Sequence, residues 1–394
     1  MENKKIIIIS LFFYEVSDNI RISTVYNLLK ERNAEVELIT TDFNHRTKKK
    51  HDTGLHPKDI TFLKVPGYKK NLSIGRLFSH FVFALRLSSY LRNLTSKPSK
   101  IYCIVPTVSS GWVCSRYCRK KNIPFAADVI DLWPESLIVL SRKKKLLQFL
   151  TFPMKWMAQK VYKAADLLYA GSADYAKYAG GFNKKTIAMP VYLGTDVSRF
   201  RSLVSSAKAE IHKPEGQKWI CFGGMLGNSY DIDIILSGFE KLVRKESPDV
   251  KLIFIGDGQE RNRIMSFKEQ KGLDIEITGF LPYADYLKYL NHADIAINSF
   301  KEGTRVAYSY KFNDYVTAGI PIVNNVKGEM AELVEQYNLG RNFRHNADSL
   351  ADKLYEMLSS PDLLSEMKKN ATFVATSVLD KKVVYKEMLD HLMK

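Results

Sequence analysis

Residues 295–325 carry the pattern that most restricts how this chain can fold. Two compact apolar runs, residues 295–297 and 320–323, are typical of strands in a parallel sheet that is covered on both faces. A polar loop and a short helical segment beginning near Tyr310 separate the two runs. In α/β folds, ligands bind outside the carboxyl ends of the strands, which is where such a loop must lie. The stretch therefore predicts an α/β fold with a binding site between residues 301 and 314.

The residues of this loop suit a negatively charged ligand. A helix that begins near Tyr310 would present free backbone N–H groups and the positive end of its dipole to a phosphate. Arg305 and Lys311 would add cationic donors. We therefore predict that a diphosphate binds here.

Strand–loop–helix alternation begins twice along the chain, which predicts two domains. A length of 394 residues also exceeds what one hydrophobic core usually supports. The loop at residues 14–21 lacks the glycines of a dinucleotide fingerprint, so NAD binding is not expected. In the second half, Gly223 and Gly224 follow a buried strand and would let backbone amides approach a phosphate, with a plain tight turn as the alternative.

Four short motifs occur in order along the middle of the chain. They are Asp131–Ser136 (DLWPES), Leu193–Asp196 (LGTD), Ile255–Gly258 (IGDG) and Tyr310–Tyr315 (YKFNDY), the last with Asp314 five residues before Gly319. Together they resemble the family-4 retaining glycosyltransferases of the GT-B fold, especially the bacterial branch that builds surface polysaccharides. The resemblance implies two Rossmann-like domains with parallel sheets that face each other across a cleft.

The resemblance also implies domain limits and a reaction. Residues 1–196 would form the acceptor domain, residues 197–376 the nucleotide-sugar domain, and residues 377–394 a helix that crosses back to the first domain. The enzyme would transfer a sugar from a nucleotide-sugar, as co-substrate, to a saccharide or polyprenyl-pyrophosphate-linked acceptor in capsule, exopolysaccharide or O-antigen synthesis. No other cofactor and no metal would be needed.

The same resemblance assigns roles to single residues. The catalytic residues would be Asp131, Asp314 and Glu302. The donor would be bound by Gly223, Gly224, Asn228, Asp257, Phe280, Leu281, Arg305, Tyr310 and Lys311. Asn19 and Arg21 would lie on the acceptor side, with helix capping by their neighbours Ser17 and Asp18 as the alternative.

Three departures from the family pattern leave other functions open. The earlier of the family's two glutamates corresponds to Val306, and its Arg and Lys on the diphosphate loop correspond to Met225 and Tyr230. One alternative is therefore a nucleotide-sugar epimerase of the GT-B fold. The other is a weakly active subunit that docks on membranes and assists an active transferase.

Charge is concentrated in the first half of the chain. Residues 1–200 hold 33 Lys and Arg against 15 Asp and Glu, whereas the whole chain has a net charge of +17. Such asymmetry indicates an anionic partner. Residues 73–94 and 142–156 combine cations with Phe, Leu or Trp, a pattern typical of helices that lie on an anionic membrane. For the first stretch a core helix with a charged edge is favoured, and for the second stretch the two interpretations are equally open. No motif for nucleic-acid binding accompanies the charge, so nucleic acid is not an expected partner.

The remaining composition points to the cytoplasm. The four cysteines form no Cys-x-x-Cys pair and have no histidine at metal-ligand spacing, which favours buried thiols. No apolar run approaches the roughly 18–20 residues that span a bilayer, and the run at residues 6–9 is too short for a signal peptide. We expect a cytoplasmic protein, with peripheral attachment to the inner face of the cell membrane.

Overall fold

The computed structural model describes residues 5–15, 20–70, 73–139, 144–245, 249–304, 306 and 308–394. The chain divides into two compact units. The first unit is Met1–Leu193 together with Val384–Lys394, and the second is Gly194–Val383. The sequence-based limits were residues 196 and 376, so the first break lies three residues earlier and the return to the first unit seven residues later.

The first unit is built on a parallel sheet. Its strands are β1 (Ile6–Ile9), β2 (Val36–Thr41), β3 (Phe43–Asn44), β4 (Lys49–Lys50), β5 (Ile60–Leu63), β6 (Lys100–Val105), β7 (Phe125–Val129), β8 (Leu167–Ala170) and β9 (Met189–Pro190). The sheet has the order β5-β2-β1-β6-β7-β8-β9, and β3 and β4 form a separate antiparallel hairpin. Ile6 of β1 pairs with Val36 on one side and Lys100 on the other.

Helices cover both faces of this sheet, which explains why β1 is four consecutive isoleucines. They are α1 (Arg21–Glu31), α2 (Ile74–Arg92), α3 (Val108–Lys121), α4 (Glu135–Val139), α5 (Lys144–Ala164), α6 (Ala173–Gly180) and the terminal helix Lys386–Met393. Ile7 and Ile9 share a core with residues of α2, α3 and α5. Ile6 and Ile8 share another with α1 and the terminal helix. Successive residues of a strand point to opposite faces, so every residue of β1 must be apolar.

The second unit repeats this plan with six parallel strands. They are β10 (Lys218–Gly223), β11 (Val250–Ile255), β12 (Ile275–Ile277), β13 (Ile295–Asn298), β14 (Ile322–Asn324) and β15 (Gly340–Asn342), in the order β12-β11-β10-β13-β14-β15. The helices are α7 (Val197–Ser206), α8 (Ile232–Val243), α9 (Arg261–Lys271), α10 (Tyr283–His292), α11 (Tyr310–Thr317), α12 (Glu329–Gln336), α13 (Ala347–Leu358), α14 (Pro361–Phe373) and α15 (Lys381–Val384). Strands β13 and β14 and helix α11 form as the 295–325 pattern predicts.

The chain end differs from its prediction. The expected single helix at residues 377–394 is two helices, α15 and Lys386–Met393. Arg32 of α1 pairs with Asp390 at 2.6 Å, which fixes the terminal helix to the first unit. Within the described residues, no helix combines the length and the apolar character that crossing a bilayer requires.

Candidate active site

Two loops at the carboxyl edge of the second sheet lock together through their backbones. The Gly224 amide donates to the Ile255 carbonyl at 2.9 Å, and the Leu226 amide donates to the Asp257 carbonyl at 2.9 Å. Gly256 has a φ of +153°, and a Cβ there would lie 2.0 Å from the Gly224 oxygen. Only glycine fits such a close approach of two backbones. The motif at residues 255–258 therefore shapes this edge, and we call the contact the glycine seam.

Side chains from helices α11 and α10 contact Gly223. Its amide donates to the Tyr315 hydroxyl at 2.8 Å. A Cβ on Gly223 would lie 2.6 Å from the Tyr286 hydroxyl. Close packing thus requires glycine here whatever ligand is bound.

Lys311 on the first turn of α11 is the main charged group at this edge. The residue is 8% exposed, and its Nζ lies 3.5 Å from the ring centroid of Tyr230 and 3.8 Å from that of Phe222. Phe300 contributes a third ring, at 6.0 Å. These cation–π contacts hold the ammonium beside Gly224. A Cβ added to Gly224 would lie 3.5 Å from Lys311 Nζ. Tyr230, Phe222 and Phe300 form what we call the aromatic cage.

The cage supplies no hydrogen-bond acceptor to Lys311. Among the described residues, Nζ has no hydrogen-bond partner. Burial lowers the pKa of Lys311 well below its usual value, and only the negative charge of Asp314 opposes this shift. A buried donor without a partner costs about 1–3 kcal/mol, and more when it is charged. The arrangement is that of a site prepared for an anion.

Asp314 lies one helical turn from Lys311 and accepts a hydrogen bond from the Tyr283 hydroxyl at 2.9 Å. Burial raises its pKa to about 7, although Tyr283, Tyr286 and Lys311 act in the opposite direction. Near neutral pH the carboxyl group can therefore either accept or donate a hydrogen bond to a ligand hydroxyl.

The other predicted donor residues lie in loops that follow the strands of the second sheet or at the start of α11. Asn228 and Tyr310 are exposed, and Asp257 receives a 3.5 Å ion-pair contact from Arg261. Phe280 is 87% exposed, and Leu281 next to it is partly buried. Both are accessible for contact with a flat ring.

Two further predicted residues follow β13. The side chain of Glu302 is exposed, and its backbone amide donates to His345 Nε2 at 3.1 Å. His345 also contacts Asp231 at 2.8 Å. Arg305 lies outside the described residues.

The acceptor-side prediction for Arg21 is wrong. Arg21 is 2% exposed, and its Nε and Nη2 atoms donate to the two carboxylate oxygens of Asp128 at 2.6 and 2.7 Å. A third donor bonds the Val191 carbonyl, and the Tyr385 ring lies 5.3 Å from the guanidinium carbon. The guanidinium makes its hydrogen bonds within the core of the first unit, so its role is structural. Asn19 lies outside the described residues.

Asp131 follows β7 at the carboxyl edge of the first sheet. Its Oδ2 accepts a hydrogen bond from Trp133 Nε1 at 2.8 Å. Burial raises the pKa of Asp131, and hydrogen bonds from Ser136 and Trp133 oppose the shift. The DLWPES motif thus fixes its own carboxylate.

Sequence reasoning missed the aromatic cage and a group of residues near Asp131. Tyr230 was noted only as a departure from the family pattern. Arg76 and His80 lie on the buried face of α2, where the sequence showed only a cation within an apolar helix. Their spacing of four residues places them on one face and was the available signal.

One group of side chains in the described part of the chain is close enough together to hold a metal ion. Ligand atoms of Glu15, His51 and His56 lie within 4.8 Å of one another. All three belong to the first unit. The Lys311 centre in the second unit does not include them.

A family model matches a large part of the second unit. Residues 205–373, most of the second unit, match the family model of glycosyl transferases group 1. No curated protein sequence matches the chain. The model match supports a glycosyltransferase.

Solved structures extend the comparison to the whole chain. Anabaena Alr3699/HepE in complex with UDP has a TM-score of 0.69 at 14% identity, with 99% of each chain covered. The fold is GT-B. Sucrose-phosphate synthase from Thermosynechococcus elongatus has a TM-score of 0.71 at 14% identity, with 98% of each chain covered. A glycosyltransferase from Rickettsia africae has a TM-score of 0.70 at 15% identity, with 100% of each chain covered.

Proposed function

We propose that this protein is a retaining, metal-independent glycosyltransferase that transfers a sugar from a nucleotide-sugar to a saccharide or lipid-linked saccharide in surface-polysaccharide synthesis. The observation that carries the proposal is Lys311, a buried ammonium held by aromatic rings beside Gly224. The HepE structures with UDP and with UDP-glucose support a nucleotide-sugar as donor.

In this proposal Lys311 binds the donor diphosphate beside Gly224, whose own amide is occupied by the Ile255 carbonyl. An acceptor hydroxyl oxygen attacks the anomeric carbon on the face that the phosphate leaves, the bond from that carbon to the phosphate oxygen breaks, and the hydroxyl proton passes to the departing phosphate. Negative charge grows on the leaving group, and a fixed ammonium in a poorly solvated site stabilises it. Asp314 bonds a hydroxyl of the sugar or ribose, and Phe280 and Leu281 contact the base.

Thermal-shift measurements with UDP, GDP and their sugars test this proposal. We expect a nucleoside diphosphate to raise the melting temperature of the wild type and to lose that effect in Lys311→Ala. Lys241→Ala is the matched control, since Lys241 is a surface residue of the same unit paired with the exposed Asp348. Equal stabilisation of both variants by the nucleotide would remove the diphosphate assignment. Epimerised sugar formed without acceptor would instead indicate an epimerase.

We also propose peripheral attachment of the first unit to an anionic membrane. Large apolar side chains form an exposed stripe on α2, comprising Ile74, Leu77, Phe78, Phe81 and Leu85. A second exposed group lies on α5, comprising Leu146, Phe149, Leu150, Phe152 and Trp156. Both helices pack against α3 on the same side of the sheet. Apolar stripes in a strongly basic unit are typical of helices that lie in a lipid interface.

Vesicle flotation tests this attachment. We expect the protein to float with vesicles containing phosphatidylglycerol and to float less with pure phosphatidylcholine. The double substitution Phe78→Ser with Phe81→Ser should reduce binding strongly, because it removes two exposed rings. Phe373→Ser, which removes an exposed ring from the second unit, is the control. Identical flotation of the two variants would argue against the proposed surface.

A further inference from the structure

A compact cluster of cationic and aromatic side chains lies at the carboxyl edge of the first sheet. It comprises Phe12, His45, Arg76, His80 and Trp133, and we call it the Arg76 cluster. The guanidinium carbon of Arg76 lies 4.5 Å from the Trp133 ring centroid and 5.4 Å from that of Phe12. His80 stacks on Trp133 at 6.0 Å, and His45 lies 5.1 Å from Phe12. Three separate loops and one helix therefore converge on Arg76.

The polar atoms of this cluster are arranged to receive a ligand. His80 is 6% exposed, and among the described residues its Nε2 has no hydrogen-bond partner. Burial, followed by the positive charge of Arg76, lowers the pKa of His80 to about 3 and that of His45 to about 4. Both imidazoles are thus neutral at pH 7, and Nε2 of His80 is the ring atom that a ligand can bond, since His45 Nδ1 already contacts the Tyr68 hydroxyl. Lys48 Nζ lies 3.3 Å from His45 Nδ1 and adds a second cation.

Asp131 is the carboxylate that faces this cluster, through Trp133. Burial raises the pKa of Asp131, and its Oδ2 already accepts the hydrogen bond from Trp133. Guanidinium and neutral N–H donors around one point are the donor set that phosphate recognition uses.

Helix α2 joins this cluster to an apolar surface. Arg76 and His80 are on its buried face, whereas Ile74, Leu77 and Phe78 are exposed on the other side of the same first turns. The two faces are separated by about one helix diameter, roughly 10 Å. An amphiphile with an anionic head and a long apolar chain can contact both.

We propose that the Arg76 cluster binds the phosphate or pyrophosphate of a lipid-linked acceptor, with the lipid chain on the exposed stripe of α2. This inference rests on the proposed transferase function, since it names the acceptor class and the residues that hold it. The Arg76 cluster replaces the acceptor contact that Arg21 does not provide.

Calorimetric titration of the full chain with dodecyl phosphate below its micellar concentration tests the inference. We expect dodecyl phosphate to bind at least about tenfold more tightly than inorganic phosphate, inorganic pyrophosphate or the neutral amphiphile dodecyl maltoside. Binding should shift the Trp133 indole N–H resonance, since that ring contacts Arg76.

Variants of one helix provide the controls. Arg76→Gln should weaken dodecyl phosphate at least about tenfold, because a charge-assisted hydrogen bond is lost. Arg86→Gln, which removes an exposed arginine from the same helix, should leave the affinity unchanged. His80→Gln provides a second test that retains Arg76, and it should also weaken binding. UDP should still raise the melting temperature of all three variants. This result would show that the variants are folded.

Equal affinity of Arg76→Gln and Arg86→Gln for dodecyl phosphate would overturn the site. Inorganic pyrophosphate binding as tightly as dodecyl phosphate would overturn the lipid and indicate a soluble phosphate. Failure of the wild type to bind UDP would instead contradict the transferase proposal. The experiment therefore distinguishes failure of the acceptor site from failure of the proposed function.

Discussion

The two units each bury a cation near a carboxylate, and the two arrangements differ in how completely the cation is paired. Arg21 makes two hydrogen bonds to Asp128 and a third to a backbone carbonyl, and Tyr102 also bonds Asp128. Lys311 has aromatic rings around it and no hydrogen-bond partner in the described part of the chain. Both side chains are less than 10% exposed.

This difference separates a structural charge from a functional one. A buried ion pair whose hydrogen bonds are all made can persist without a ligand, whereas a buried ammonium without an acceptor raises the free energy of the folded state. Such a cost is expected where a ligand later supplies the missing partner. Burial does not distinguish Arg21 from Lys311, because both side chains are nearly inaccessible to solvent. The number of hydrogen-bond partners does distinguish them.

The largest effect should come from removing each cation in turn. Arg21→Leu leaves Asp128 buried without its partner and should lower the free energy of unfolding by about 3–5 kcal/mol. Lys311→Met removes an unpaired buried charge and should raise that free energy by about 1–3 kcal/mol. Urea denaturation followed by circular dichroism measures both. Equal destabilisation by the two substitutions would break the distinction between them.

A second test uses pH. As pH rises from 6 to 8, Asp314 ionises through a pKa of about 7. The negative charge that it gains beside the bound diphosphate disfavours binding, so the affinity for UDP should fall by about tenfold over this range. Asp314→Asn should flatten the dependence, and uridine, which lacks the diphosphate, should show little of it. An affinity for UDP that increases with pH would contradict this ionisation scheme.

The same group affects stability in the same direction. Because the folded-state pKa of Asp314 is raised above 3.8, the folded state binds more protons between about pH 4 and 7. The contribution of Asp314 to the free energy of unfolding is therefore present below about pH 4 and is lost as pH rises through 7.

The smallest effect should come from the aromatic cage. Tyr230→Leu removes the ring closest to the ammonium and should weaken UDP binding about two- to fivefold, since one cation–π contact is worth about 0.5–1 kcal/mol and Phe222 and Phe300 remain. Tyr230→Phe keeps the ring and should bind UDP like the wild type. If Tyr230→Phe loses as much affinity as Tyr230→Leu, the hydroxyl group and not the ring face is what matters.

The sequence predicted the strands of both sheets well because continuous apolar runs are unambiguous when both faces of a strand are buried. The run at residues 6–9 and the pair β13 and β14 are examples. The three-residue strand β15 has the sequence Gly-Arg-Asn, which contains no apolar run, and the sequence analysis does not predict it.

The pairing of side chains was predicted less well, because it depends on residues that are distant in sequence. Arg21 was assigned to the acceptor since nothing near it indicates Asp128, which lies 107 residues away. Lys311 was singled out by its motif, whereas the rings around it come from β10, the loop after β10 and the loop after β13. A residue's type and local spacing can indicate a site, but only the fold shows whether its hydrogen bonds are already made.

The glycine seam limits how this protein can change its donor. Substituting Gly256 or Gly258 would push a methyl group into the backbone of the neighbouring loop, so these positions offer no route to a new specificity. Exposed positions of the same unit, such as Met225 within the first loop and Phe280 after β12, can vary without disturbing it. Attempts to engineer a different nucleotide preference should therefore mutate these exposed positions and leave the glycine seam unchanged.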